Sequence, residues 1–147
     1  MIIFYRNLTG ANIAAFLSRT MLGLVFLMAG WWKVFTLTPT AHAQNFFIDG
    51  FKDHWIPEVL LWFLGMAIPP FELIAGLLLV IGLWARLSTT LCGLLLLLTT
   101  YGHALQQPLF DIDGHTFTRF ALIIFVLMLP AGTDKISIDH YKASKND

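Results

Sequence analysis

The chain has 147 residues, 57% of them hydrophobic and 12% charged, with a mean hydropathy of +0.73. The length suits one domain. A charged fraction about half the ~25% of an ordinary soluble domain argues against a soluble globule, and against disorder, which needs low hydrophobicity and high net charge. Nine Lys and Arg cancel nine Asp and Glu, leaving no basic surface for nucleic acid. The remaining class is a polytopic helical membrane protein, with the lipid bilayer as its first partner.

A helix crossing the ~30 Å hydrocarbon core needs about 20 mostly apolar residues, and four segments meet that pattern. The first, residues 13–37, carries Arg19 and Lys33 inside its two ends. Ala41-His42-Ala43 after it resembles a leader cleavage site, but signal peptides run about 15–30 residues, so this segment is expected to be retained. The second run, 56–84, contains Glu72 and is interrupted by Pro69-Pro70. It would reach about 43 Å as one straight helix. The prolines remove two amide donors, which predicts a kink, a tilt, or a start that lies along the interface.

Residues 82–88 leave a connection of a few residues, so the second and third helices should be antiparallel neighbours. The third, 87–105, holds the lone Cys92. A single cysteine excludes a disulfide framework and a thiolate metal site, and is read as a small buried or lipid-facing residue. The fourth, 116–132, is the shortest and begins beside Arg119. A short tail, 133–147, follows. The expected architecture is an all-α membrane four-helix bundle forming a single transmembrane domain over 1–147. Gly76 to Gly82 does not match the GxxxG spacing, so no dimer face is indicated.

Orientation follows from Lys and Arg in the short loops. With four crossings, one side holds Arg6, Arg19, Arg86, Lys135, Lys142 and Lys145, against Lys33, Lys52 and Arg119 on the other. Both termini are therefore expected in the cytoplasm, with Trp31, Trp32, Trp55 and Tyr101 at the outer interface and Trp84 at the inner one.

Depth then groups the ionisable residues. Lys33 lies fourteen residues beyond Arg19, and Glu72 fourteen before Arg86, about 21 Å from the cytoplasmic edge in each case. His103 lies fifteen residues beyond Ser88, and Arg119 sixteen before Lys135. Each helix thus contributes one ionisable group to one layer in the outer half of the membrane. Lipid cannot solvate such groups, so packing should turn them inward, with Lys33 and Glu72 as the ion pair. The competing reading is that Lys33 and Arg119 extend to the headgroups while Glu72 serves helix association.

His42, His54, His103 and His115 fall on the outer side. His103 and His115, joined by a stretch with Asp111 and Asp113, are the candidate ligands for a metal or haem, but no spacing puts two histidines on one helical face. No phosphate-binding loop, dinucleotide fingerprint or nucleophile elbow occurs. The aromatic residues suit a quinone or porphyrin pocket, and suit interfacial belts and packing as well.

Three stretches resemble the DoxX family of small four-helix bacterial membrane proteins: Arg19-x-x-Leu22-Gly23-x-x-Phe26-x-x-x-Gly30-x-x-Lys33, Pro70-x-Glu72-x-x-x-Gly76-Leu77-Leu78-Leu79-x-x-Gly82-Leu83-x-x-Arg86, and Asp134-x-Ile136-Ser137-Ile138-Asp139. The resemblance covers about residues 13–140. It implies a multi-pass protein of the bacterial inner membrane, associated with quinone-linked redox work and related to the small subunit of a thiosulfate:quinone oxidoreductase. It offers no agreed catalytic set.

The expectation is a redox-associated subunit that binds a quinone or small oxyanion in the polar layer. Lys33 and Arg119 would hold negative charge or carbonyl oxygens. Glu72 would be a proton relay or counter-ion, and His103 a hydrogen-bond donor or relay, which makes Glu72 and His103 the catalytic candidates. Arg19 and Arg86 are assigned to structural ion pairs. A quinone fits this layer better than haem or a metal. A protein partner or a second copy is expected, and the alternative function is a non-catalytic anchor or assembly subunit of a larger complex.

Overall fold

A computed structural model describes residues 8–106 and 114–146; side chains are described for 8–106 and 116–145. Every regular element among them is helical. Helix α1, Gly10–Trp31, continues as a π-helical stretch, Trp32–Leu37. A break at Thr38 leads into α2, Pro39–His42, and a second π-helical stretch, Ala43–Ile48. Then come α3, Glu58–Ile81, α4, Ala85–Gln106, α5, Gly114–Met128, and α6, Ile138–Asn146.

Three helical stretches are long and apolar enough to cross a membrane: Gly10–Leu37, Glu58–Ile81 and Ala85–Gln106. The fourth apolar helix, α5, has 15 described residues, about 22 Å of helix. Where a plain tail was expected, α6 forms. Arg6, Asp111 and Asp113 lie outside the described residues, as does the side chain of His115.

Helix α1 starts on a reciprocal cap. The Thr9 hydroxyl accepts from the Asn12 amide at 3.3 Å, and Asn12 Oδ1 accepts from the Thr9 amide at 2.7 Å. Asn12 then donates from Nδ2 to the Thr133 carbonyl, joining the two ends of the chain.

The closest helix pair is α1 with α3, antiparallel, and glycine makes it possible. A Cβ on Gly30 would sit 2.3 Å from the Leu73 amide nitrogen, and one on Gly76 would sit 2.2 Å from that of Leu27. Removing the side chain lets backbone approach backbone, the common solution where lipid provides no hydrophobic drive between helices. These glycines are used within the chain. Around them, Leu22, Phe26, Ala75, Leu79, Cys92, Leu96 and Ile123 form the buried core. The outward faces of the long helices, including Leu17, Met28, Phe63 and Leu97, are exposed and apolar, as lipid-facing surface should be.

The two prolines lie inside a continuous helix. Helix α3 runs unbroken from Glu58 to Ile81 through Pro69-Pro70. Pro69 has no amide hydrogen, so the carbonyl of Gly65, four residues earlier, loses its helical donor. His42 supplies one: its Nδ1 lies 2.7 Å from the Gly65 carbonyl oxygen. The chain reaches that place because Thr38, at φ 73°, reverses it after the first span, and because Gly65 has no Cβ, which would come 2.5 Å from Ala43 Cα.

Candidate functional site

Charged groups occupy both ends of the α1–α3 pair. At the first end Arg19 is 2% exposed. Its Nε is 2.5 Å from Asp134 Oδ2, its Nη1 donates to the carbonyls of Leu79 and Val80, and its Nη2 donates to that of Ile136 at 3.1 Å. Leu79 and Val80 belong to the last turn of α3, where unpaired carbonyls gather partial negative charge. One guanidinium, with its donors fixed in a plane, thereby closes a helix end and carries a carboxylate.

Asp139 acts on the next helix, accepting from the amides of Trp84 and Ala85 at 2.9 and 2.8 Å, ahead of the first turn of α4. Gly82 turns the chain between the two at φ 72°, with its carbonyl accepting from the Asp139 amide at 3.0 Å. Arg86 departs from the expected ion pair. It lies exposed and donates to the carbonyls of Leu127 and Leu129 at 3.2 and 2.7 Å. These carbonyls end α5, so Arg86 performs for α5 the task Arg19 performs for α3.

At the second end, Lys33 Nζ lies 2.6 Å from Glu72 Oε2. Glu72 is 4% exposed and is set between α1 and α3 beside the Gly30 approach. Lys33, on the π-helical end of the first span, is half-buried. Next to this pair opens a cleft of about 430 Å³, whose lining includes Lys33, His42, His103 and the rings of Trp32, Phe46, Phe47, Phe51, Trp55 and Tyr101. It falls within the ~300–1,000 Å³ range of small-molecule sites. Loop 49–57 is tied across one end by two bonds to the end of α4: His54 Nε2 donates to the Leu105 carbonyl at 3.1 Å, and Gln106 Nε2 to that of Gly50 at 3.0 Å.

The four-residue layer divides in the structure. Lys33 and Glu72 meet. Lys33 and His103 are among the cleft-lining residues, with His103 exposed. Glu72 stands behind Lys33. Arg119 is not among the lining residues; its guanidinium carbon lies 5.8 Å from the centre of the Phe26 ring, and its Nε is buried without a hydrogen-bond partner. Depth along a helix fixes height in the membrane and says nothing about azimuth, so groups at one level can face different neighbours. Among the described residues no cluster of three His, Cys, Asp or Glu is arranged to hold a metal.

His42 was the residue that sequence reasoning passed over, being read as one outer-side histidine among four. It is buried and flanked by Phe46 and Phe47, with ring centres 5.5 and 5.4 Å away. Burial pushes its imidazole below the ordinary 6.5, against the pull of the Gly65 hydrogen bond; Lys33 adds to the lowering, and Glu72 opposes it. Burial thus favours the neutral ring. The signal was present in Gly65-x-x-x-Pro69, because a proline inside a membrane helix orphans a carbonyl that some donor must satisfy.

Fold and site together define a multi-pass membrane protein, helical throughout its regular elements among the described residues, with three apolar helices there of membrane-spanning length and a charge pair between two of them. The DoxX family model matches residues 14–104, more than half of the chain, and the chain belongs to the DoxX family. The matched span holds Arg19, Lys33, His42, Glu72, Arg86 and His103, and ends before Arg119 and Asp134. No curated protein and no solved structure matches the chain.

Proposed function

We propose that this protein is a redox-associated membrane subunit whose cleft binds the flat headgroup of a quinone. The observation that carries the reading is the Lys33 side of the cleft: an ammonium, held by a buried carboxylate at 2.6 Å, at the edge of a cavity walled by aromatic and aliphatic side chains. Lys33 has three N–H donors. One serves Glu72, and the others are available to a carbonyl oxygen of the ligand. Glu72 supplies the counter-charge that Lys33 needs where lipid cannot solvate it. His103, at the exposed end of α4, is a hydrogen-bonding group toward the surface.

Counting α5 as a fourth, shorter crossing puts both termini in the cytoplasm and turns the cleft to the outer half of the bacterial inner membrane. A C-terminal reporter active only in the cytoplasm tests this orientation. For the site itself, Trp32 and Trp55 line the cleft, so quenching of tryptophan fluorescence by a decyl-substituted benzoquinone reports occupancy. Saturable quenching in the wild type, weakened about tenfold in Lys33→Met as a charge-assisted hydrogen bond is lost, supports the reading. Unsaturable quenching, with no quinone extracted from protein purified from native membranes, favours the anchor or assembly role instead.

A further inference from the structure

The two ring nitrogens of His42 have different duties. Nδ1 lies 2.7 Å from the Gly65 carbonyl oxygen, and a carbonyl oxygen can only accept, so the proton of the neutral ring sits on Nδ1. Nε2 then carries a lone pair and no hydrogen. His42 is one of the residues lining the cleft, and among the described residues Nε2 has no hydrogen-bond partner and is not one of the fully buried unpaired polar atoms. Nor is the tautomer free to change. Pro69 leaves the Gly65 carbonyl in need of a donor, and Phe46 and Phe47 flank the ring.

The cleft therefore offers a ligand two complementary groups: Lys33, with donors and no lone pair, and His42 Nε2, with a lone pair and no donor. A quinone carbonyl, which only accepts, satisfies Lys33 and leaves Nε2 unpaired. A phenolic hydroxyl satisfies both, accepting from Lys33 and donating to His42. We propose, building on the quinone-headgroup reading above, that the preferred occupant is the reduced hydroquinone, with its ring hydroxyl donating to His42 Nε2. This is a statement about which form binds, and it requires no electron transfer within the chain.

The test compares three probes by tryptophan quenching under anaerobic conditions: the decyl-substituted benzoquinone, its reduced hydroquinone, and the dimethyl ether of that hydroquinone, which has no O–H. The hydroquinone is expected to bind about tenfold more tightly than either of the others, the cost of leaving one buried acceptor unpaired. In His42→Asn, which retains an N–H for the Gly65 carbonyl and removes Nε2, the preference for the hydroquinone over the other two probes should be lost. Equal or tighter binding of the quinone by the wild type overturns the proposal and leaves the cleft reading standing, and so does a preference that survives His42→Asn. Failure of all three probes to bind overturns both. The wild-type comparison decides the matter even if the variant does not fold.

Discussion

The two charged ends of the α1–α3 pair use similar residues to opposite effect. At one end Arg19 engages a carboxylate and three backbone carbonyls, and little of its hydrogen-bonding capacity remains. At the other, Lys33 makes one bond to Glu72 and borders an open cleft, beside a histidine with an unshared nitrogen. A charge whose partners are all protein groups holds the fold together. A charge with donors to spare is available to a ligand. Burial alone does not distinguish the two, since Arg19 and Glu72 are both buried; the number of unused donors and acceptors does.

The difference can be broken from either side. Arg19→Leu should cause the largest loss, about 3–5 kcal/mol, because it strands Asp134 and the terminal carbonyls of α3. Thermal unfolding in detergent measures it, and wild-type stability in this variant would remove Arg19 from its structural role.

Gly76→Val comes next. Its Cβ would overlap the Leu27 backbone, so α1 and α3 must move apart, at about 1–3 kcal/mol by the usual cost of overpacking. The same melts follow it.

The double variant Lys33→Met/Glu72→Gln should cost less than about 1.5 kcal/mol, since replacing both members of a buried pair with neutral groups is often near neutral. It should nevertheless abolish saturable quinone binding. A severe loss of stability together with unchanged binding would reverse the assignment of the two ends.

The smallest effect concerns pH. His42 is held below its ordinary 6.5 by burial, with Lys33 opposing its proton and Glu72 favouring it. The unfolded chain therefore takes up this proton before the folded one does. The stability present above 6.5 should decline as the pH falls from there toward the lowered folded value. Melts of wild type and His42→Asn between pH 8 and 5 should diverge only on the acid side. Parallel curves would mean that His42 is not held neutral.

Much of the organisation can be read without coordinates. The long apolar runs mark the spans because hydrophobic length is matched to bilayer thickness. Pairing of Lys33 with Glu72 follows from the shared depth of two opposite charges that lipid cannot solvate. The same arithmetic put Arg119 with them, and there it lacked the information it needed, since the direction a helix face points is set by packing. Arg86 shows a related limit. A basic residue with no carboxylate in reach appears in sequence like any other half of an ion pair, although backbone carbonyls at a helix end serve it equally well. The Asp134–Asp139 stretch carries a family resemblance in its residues, but its work, holding Arg19 and capping the start of α4, requires α6 to fold back across more than fifty residues of chain.

Composition and the spacing of apolar runs by themselves pointed to a membrane and to four candidate spans, three of which prove long enough to cross it, because span length depends on distance along a helix. Tertiary structure alone decided that 39–48 folds back against α3, that His42 answers the carbonyl orphaned by Pro69, and that an aromatic cleft opens beside Lys33. Those features arise where segments remote in sequence meet, and a hydrogen bond or a cavity exists only once both of its sides are in place.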